Sequence, residues 1–223
     1  MKTTLFSNLK KILTVQRIAL LVAVCSLIVM LIVNWHNIFP KKTTVKDNIR
    51  EYIVVIDSQF APNKWDADST FISSEIVGFE NSVLGAASAW KKMDEMKPFK
   101  NMNEDEFRSS VAYYFSLNSD FNKSIYSIVL HLTNLRDVET TKDVLNFRDI
   151  VDDNRLDYIS KLAIEKDSIF QIYTNNTALM NNKKDMMNEL DKMRADPNYY
   201  KLDEALFKMA IEVDNYVSRK TRK

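Results

Sequence analysis

Glycine and proline are scarce in this chain, at two and four residues among 223. β-Hairpins, dinucleotide-binding turns and phosphate loops need glycine at positive φ or at close backbone approach, so these are disfavoured. Helices joined by a few short loops are favoured instead. Cysteine occurs once, as Cys25, which leaves no intrachain disulfide and no cysteine-based metal site. Histidine occurs only at His36 and His131. His131 has no Asp or Glu three or four residues away, so neither the Glu-x-x-His of carboxylate-bridged metal bundles nor the His-Glu-x-x-His zinc motif is present. It reads as a satisfied, partly buried side chain. An excess of one charge sign is also missing: 31 basic residues stand against 30 acidic ones, which provides no basic domain for nucleic acid.

What the chain does have is an uncharged run, Ile18–Val33, in which eleven of sixteen residues are Leu, Ile or Val. Continued by Asn34–Phe39, it reaches the roughly 20 residues that span a bilayer. Each Leu, Ile or Val favours insertion by about 0.3–0.6 kcal/mol. The run is too long for a secretory leader, and no small-x-small cleavage site follows it. Lipidation at Cys25 is disfavoured by the bulky Val24 before it. The expected anchor is therefore a retained signal-anchor helix carried by Ile18, Leu21, Leu27 and Leu31, with Trp35 at the headgroup interface. Lys2, Lys10, Lys11 and Arg17 before the run balance Lys41, Lys42, Lys46 and Arg50 after it. The shortness of the leading segment favours an inside N-terminus. The expected organisation has three parts: a cytoplasmic basic amphipathic segment at 1–17, a transmembrane helix at 18–39, and an extracytoplasmic helical domain at 41–223. Such a chain is a single-pass protein of the inner (plasma) membrane.

Beyond Pro40 the apolar spacing is helical throughout, and the expected fold class is all-α. Val45, Ile49, Tyr52, Ile53 and Ile56 predict a helix over 44–60. Ile72, Ile76, Phe79, Val83, Ala86, Trp90 and Met93 alternate steps of four and three, a coiled-coil-like seam over about 40 Å of helix. Ile76, Phe79, Val83, Ala86 and Trp90 form its centre, a candidate helix-packing or partner seam. The small residues Gly85–Ala89 predict that another helix approaches closely. Asn103 and Glu106 form a capping-box-like start. Asn118-Ser119-Asp120 is expected to break or kink the helix that follows. From Thr141 on, Val144, Val151, Tyr158, Leu162, Ile169, Ile172, Leu179, Met186, Leu190 and Met193 fit one drifting seam. Polar interruptions fall at Asp152–Asn154 and Thr174–Thr177. Pro197 is placed to open a last helix carrying Tyr199, Leu202, Leu206, Met209, Val213 and Tyr216. Together these predict an up-down antiparallel bundle with long helices. The ten methionines suit adaptable helix contacts, with core as the default.

No convergent set of nucleophile, base and oxyanion donors is found. Asp152, Asp153 and Asp157 offer oxygen ligands for a weak Ca²⁺ site, but a solvated helix junction is the plainer reading. Asn122-Lys123-Ser124 and Asn175-Asn176-Thr177 match glycosylation acceptors by a short pattern that arises often. No cofactor is implied. The expectation is a membrane-anchored, non-enzymatic helical interaction protein within a cell-envelope assembly. Its partners would be membrane lipid and either another envelope protein or a second copy of the chain. Alternatives are an extracytoplasmic small-ligand sensor signalling through a partner, and a phage- or element-encoded lysis, exclusion or immunity factor.

Overall fold

A computed structural model describes residues 43–59, 70–137, 145–175 and 182–221, all of which from Thr44 on fall in the unit Thr44–Lys223. The basic segment at 1–17 and the apolar run with Ile18, Leu21, Leu27, Leu31 and Trp35 lie outside the described residues. The described residues contain α-helices and short 3-10 turns and no strand. Among them, no helix is long and apolar enough to cross a membrane.

Helix α1, Val45–Gln59, opens on a reciprocal cap: Thr44 N donates to Asp47 Oδ2 at 3.1 Å, and Asp47 N donates to Thr44 Oγ1 at 3.2 Å. Helix α2, Thr70–Glu95, buries the whole four-three seam, Ile72, Ile76, Phe79, Val83, Ala86, Trp90 and Met93. A 3-10 turn at Phe99–Asn101 leads to α3, Glu104–Asp137. The start of α3 is the expected capping box: Glu106 N donates to Asn103 Oδ1 at 2.9 Å and Asn103 N to Glu106 Oε2 at 3.1 Å. A second 3-10 turn at Phe147–Asp149 precedes α4, Asp153–Thr174, which Asp152 caps by accepting from Arg155 N at 2.8 Å. Helix α5 is Lys183–Ala195. Pro197–Tyr200 forms a third 3-10 turn with proline at its start, and α6 runs Lys201–Thr221.

Side-chain pairs fix the directions. Arg50 of α1 meets Asp94 at the end of α2. Gly78 and Gly85 of α2 face His131 and Ser124 of α3. Phe115 and Arg136 of α3 meet Phe170 and Asp153 of α4. Arg155 and Lys166 of α4 meet Glu212 and Asp203 of α6. Each of these pairings is antiparallel. The last contact is not: Asn48 near the start of α1 donates to Glu204 near the start of α6, so these two helices pack in parallel. The up-down pattern breaks because α5 is short and stays at one end. There Arg194 and Asp191 of α5 grip the α2–α3 connection, and Lys183 pairs with Glu104. The chain thus re-enters the bundle at the end it left.

Helix α6 is buried along two stripes. Leu202, Leu206, Met209, Val213 and Tyr216 make one, and Asp203, Phe207, Ala210, Asp214 and Val217 make the other. A helix apolar on two faces belongs inside a bundle, and α6 is its spine.

Two sequence expectations are corrected. Asn118-Ser119-Asp120 does not break α3, which runs unbroken through them. Asn118 is turned inward and accepts from Tyr199 Oη at 2.9 Å, so its polarity is satisfied across the core rather than against its own backbone. The seam from 141 to 193 is not one helix face. Tyr158 is 56 % exposed and Ile172 71 %, while the buried stripe of α4 is Leu156, Ile159, Leu162 and Lys166. The seven-residue spacing runs through the non-helical residues Ile150–Asp152, where helical phase is lost. Val144 and Leu179 lie outside the described residues.

The α2–α3 hairpin closes on glycine. A Cβ on Gly78 would sit 2.4 Å from His131 Cε1, and one on Gly85 would sit 3.0 Å from Ser124 Oγ. The His131 ring cannot easily yield, because its Nδ1 is 2.8 Å from Glu75 Oε2, which also accepts from Asn134 Nδ2 at 3.0 Å. An ionised carboxylate only accepts, so Nδ1 carries the proton. Burial pushes the Glu75 carboxyl up, but the His131 and Asn134 hydrogen bonds and the His131 charge outweigh it and hold it below the ordinary range.

Two outcomes are expected from melts of the full chain in detergent, followed by Trp fluorescence. Gly78→Ala destabilises by about 1–3 kcal/mol through overpacking against His131. Gly85→Ala is near neutral, because about 1 kcal/mol of helix propensity offsets its tight contact. Equal effects at the two glycines would refute the close-approach argument. Because the folded Glu75 pKa is depressed, its contribution is complete above the ordinary glutamate value of roughly 4.3 and is lost as pH falls through the folded value. Wild type should therefore lose stability relative to Glu75→Gln on acidification below about pH 4.3.

Candidate functional site

The chemistry-bearing residues gather at the end of the bundle where α1 and α6 begin. Innermost is an ion pair with no access to water. Lys166 Nζ donates to Asp203 Oδ1 at 2.6 Å, with the two side chains 4 % and 0 % exposed. Removing two charges from water costs several kcal/mol per ion, which their attraction repays only with good geometry and extra partners. The partners are aromatic. Lys166 Nζ lies 4.1 Å from the Tyr199 ring centroid, 4.6 Å from that of Phe121 and 5.7 Å from that of Tyr200. These quadrupoles stabilise a desolvated ammonium. Burial pushes the Lys166 ammonium down, against the charge and hydrogen bond of Asp203. Burial likewise pushes the Asp203 carboxyl up, against Lys166 and the Trp90 indole N–H. That indole faces the carboxylate, although neither Trp90 Nε1 nor Asp203 Oδ2 makes a hydrogen bond of ordinary length and angle.

Tyrosine hydroxyls around the pair find acceptors in the core. Tyr199 Oη donates to Asn118 Oδ1 at 2.9 Å. Tyr200 donates to Arg194 O at 3.0 Å. Burial pushes Tyr114 up to about 12 and raises Tyr199 and Tyr200 as well. All of them stay protonated donors at neutral pH. A lysine so enclosed has no path to a substrate; its role is to fix α4 against α6.

Next outward is a clamp on the α2–α3 turn. Arg194 Nη2 donates to the carbonyls of Met93 at 3.0 Å and Met96 at 2.8 Å, and Nη1 donates to Lys97 O at 3.1 Å. These are carbonyls that the end of a helix leaves without intrahelical donors. Three residues earlier, Asp191 accepts from Phe99 N and Lys100 N, both at 2.9 Å, and so caps the 3-10 turn. One turn of α5 thus satisfies both halves of the connection. The Arg194 guanidinium also stacks over Phe99 and Tyr114, at 5.4 and 5.8 Å.

Outermost is a cavity of about 700 Å³. Thr44, Val45, Lys46 and Arg50 form one wall, Asp94, Met96, Pro98 and Lys100 another, and Asp191, Arg194, Ala195, Pro197 and Tyr200 the third. Arg50 Nε and Nη2 donate to Asp94 Oδ2 at 3.0 and 2.8 Å. Lys46 Nζ stands 3.4 Å from Asp94 Oδ1 and 4.7 Å from the Tyr200 ring centroid.

The sequence-derived candidates lie elsewhere or at the edge of this site. Ile76, Phe79, Val83 and Ala86 are buried inside the bundle, away from the cavity lining. Trp90 reaches the ion pair and packs edge-on against Tyr200 at 6.2 Å. In the acidic patch, Asp152 is spent as a helix cap, Asp153 pairs with Arg136, and Asp149 accepts from Asn146 Nδ2 at 3.3 Å. Among the described residues, no cluster of three or more His, Cys, Asp or Glu is placed to hold a metal ion. Asn122 is half-buried and donates to Asp167. Sequence reasoning passed over Lys166, Arg194 and Asp203. One signal was there: Lys166 continues the Leu156, Ile159, Leu162 stripe, and Asp203 stands four and seven residues before Phe207 and Ala210. Comparison with protein-family models, with curated proteins and with solved structures finds no match to this chain.

A double-mutant cycle tests the inner pair. Lys166→Met or Asp203→Leu alone should cost about 3–5 kcal/mol by stranding a buried charge, while the double variant should cost clearly less than the two singles summed. Additive losses in thermal melts would mean that the two charges are not coupled.

Proposed function

We propose that this chain is a single-pass, membrane-anchored helical interaction protein that acts by binding and not by catalysis, as a structural or regulatory part of a cell-envelope assembly. The observation that carries the reading is the uncharged run Ile18–Val33, continued to Phe39, which only lipid or complete burial satisfies. The described helices support it in a second way. Their apolar seams close on one another in a bundle that starts at Val45, and the innermost charges, Lys166 and Asp203, pair with each other. Anchor and bundle are then separate in role. The anchor fixes where the molecule sits, and the bundle presents a folded surface to another envelope protein or to a second copy.

On this reading the full chain stays in the membrane pellet through alkaline carbonate extraction, and a chain lacking residues 1–39 does not. A C-terminal alkaline phosphatase fusion is active, because the bundle lies outside the cytoplasm. Release of the full chain by carbonate would overturn the anchor. An inactive phosphatase fusion beside a bright cytoplasmic reporter fusion would reverse the sidedness.

A further inference from the structure

We infer that the end cavity binds the phosphate of an anionic phospholipid headgroup from the membrane that holds the chain. The inference rests on the anchored reading above and assigns that reading a ligand. Lys46, Arg50, Lys100 and Arg194 line the cavity against two carboxylates, Asp94 and Asp191. These acids do not neutralise the four cations. Asp94 is shared between Lys46 and Arg50, at 3.4 and 2.8 Å, and Arg50 also pairs with Asp47 at 3.3 Å, which leaves three carboxylates to four cations. Asp191 spends both oxygens on backbone N–H groups and stands 3.8 Å from Arg194. Lys100 has no ion pair among the described residues.

The position of Lys46 supports the same conclusion. Burial pushes its ammonium down, and the neighbouring Arg194 and Arg50 charges add to that push against the pull of Asp94. A bound anion would relieve this crowding. Arginine and lysine together are the usual phosphate-binding pair, one as a planar fork and the other as a point charge. The volume, about 700 Å³, falls within the roughly 300–1,000 Å³ of ligand clefts. Val45, Met96, Pro98, Ala195 and Pro197 give the cavity an apolar wall on which a glycerol backbone can lie.

Chain length selects the membrane as the source. Thr44, at the cavity wall, follows Phe39 by five residues, which span at most about 18 Å when fully extended. Lys41 and Lys42 lie within that link and add two cations to it. An anionic bilayer attracts such charges within a Debye length of about 8–10 Å.

The test uses the full chain in neutral detergent micelles. Its melting temperature is measured with added phosphatidylglycerol, with phosphatidylcholine, and with inorganic phosphate or glycerol 3-phosphate alone. The expected result is a rise of about 3–5 °C with phosphatidylglycerol only, the size that a one- to two-kcal ligand linkage produces. Lys46→Gln/Lys100→Gln should lose that rise, and Lys46→Arg/Lys100→Arg should keep it. Native mass spectrometry of the wild type, independent of any variant, should show retained phosphatidylglycerol in preference to phosphatidylcholine. An equal rise with soluble phosphate would overturn the lipid assignment. No rise with any anion, or a glutamine variant that responds like wild type, would overturn the site. A chain that washes off membranes yet responds to phosphatidylglycerol would refute the anchor and leave the site standing; an anchored chain without the response would do the reverse.

Discussion

Lys166 and Asp203 meet 2.6 Å apart where water does not reach, and the surrounding architecture serves that contact. Neither charge tolerates a shift of α4 along α6, because a displaced partner leaves the other stranded in a medium of low dielectric. The pair therefore sets register in a way that interchangeable Leu, Ile and Met contacts do not. It also explains the neighbouring composition. Phe121, Tyr199 and Tyr200 present ring faces to the ammonium, and the Tyr199 and Tyr200 hydroxyls are satisfied by Asn118 and the Arg194 carbonyl. Asn118, a poor residue for a helix interior, is retained within α3 by this demand.

The same end of the molecule carries the clamp and the cavity, and the two are linked. Because α5 crosses the bundle end, its Arg194 and Asp191 can reach the last carbonyls of α2 and the first N–H groups of the following turn. Because the crossing is short, α6 starts beside the start of α1, and the two pack in parallel. Cations from α1, from the turn and from α5 then surround one concavity with too few carboxylates to balance them. In the proposed function, this face is also the one whose chain leads back to the apolar run within five residues, so the surface closest in sequence to the membrane has the charge sign that anionic lipid attracts.

The fold was legible wherever a periodic apolar stripe lay within one unbroken helix. Ile72 to Met93 read correctly as a seam, Gly85–Ala89 marked the close approach of α3, and Asn103 with Glu106 marked a helix start, because each signal is local. Legibility failed in two places. Heptad counting past Ile150 carried phase through the non-helical residues Ile150–Asp152 and put Tyr158 and Ile172 inside, where the structure exposes them. Asn118-Ser119-Asp120 was read by local propensity, but its partner Tyr199 is 81 residues away. The end site was largely invisible, since Lys166, Asp203 and Arg194 differ from surface charges only by what other helices bring to them.

Composition and spacing alone determined a helical fold class, the capped start at Asn103, the inward face of α2, and an uncharged run long enough for a bilayer. These depend on backbone φ, on hydrogen-bond caps and on period, all fixed within a few residues. Tertiary structure alone decided that α1 and α6 run in parallel, that α6 is buried on two faces, that His131 rests on Gly78 and bonds Glu75, and that a lysine and an aspartate belong in the core. A charge is inward or outward only according to its partner, and here every deciding partner lies on another helix.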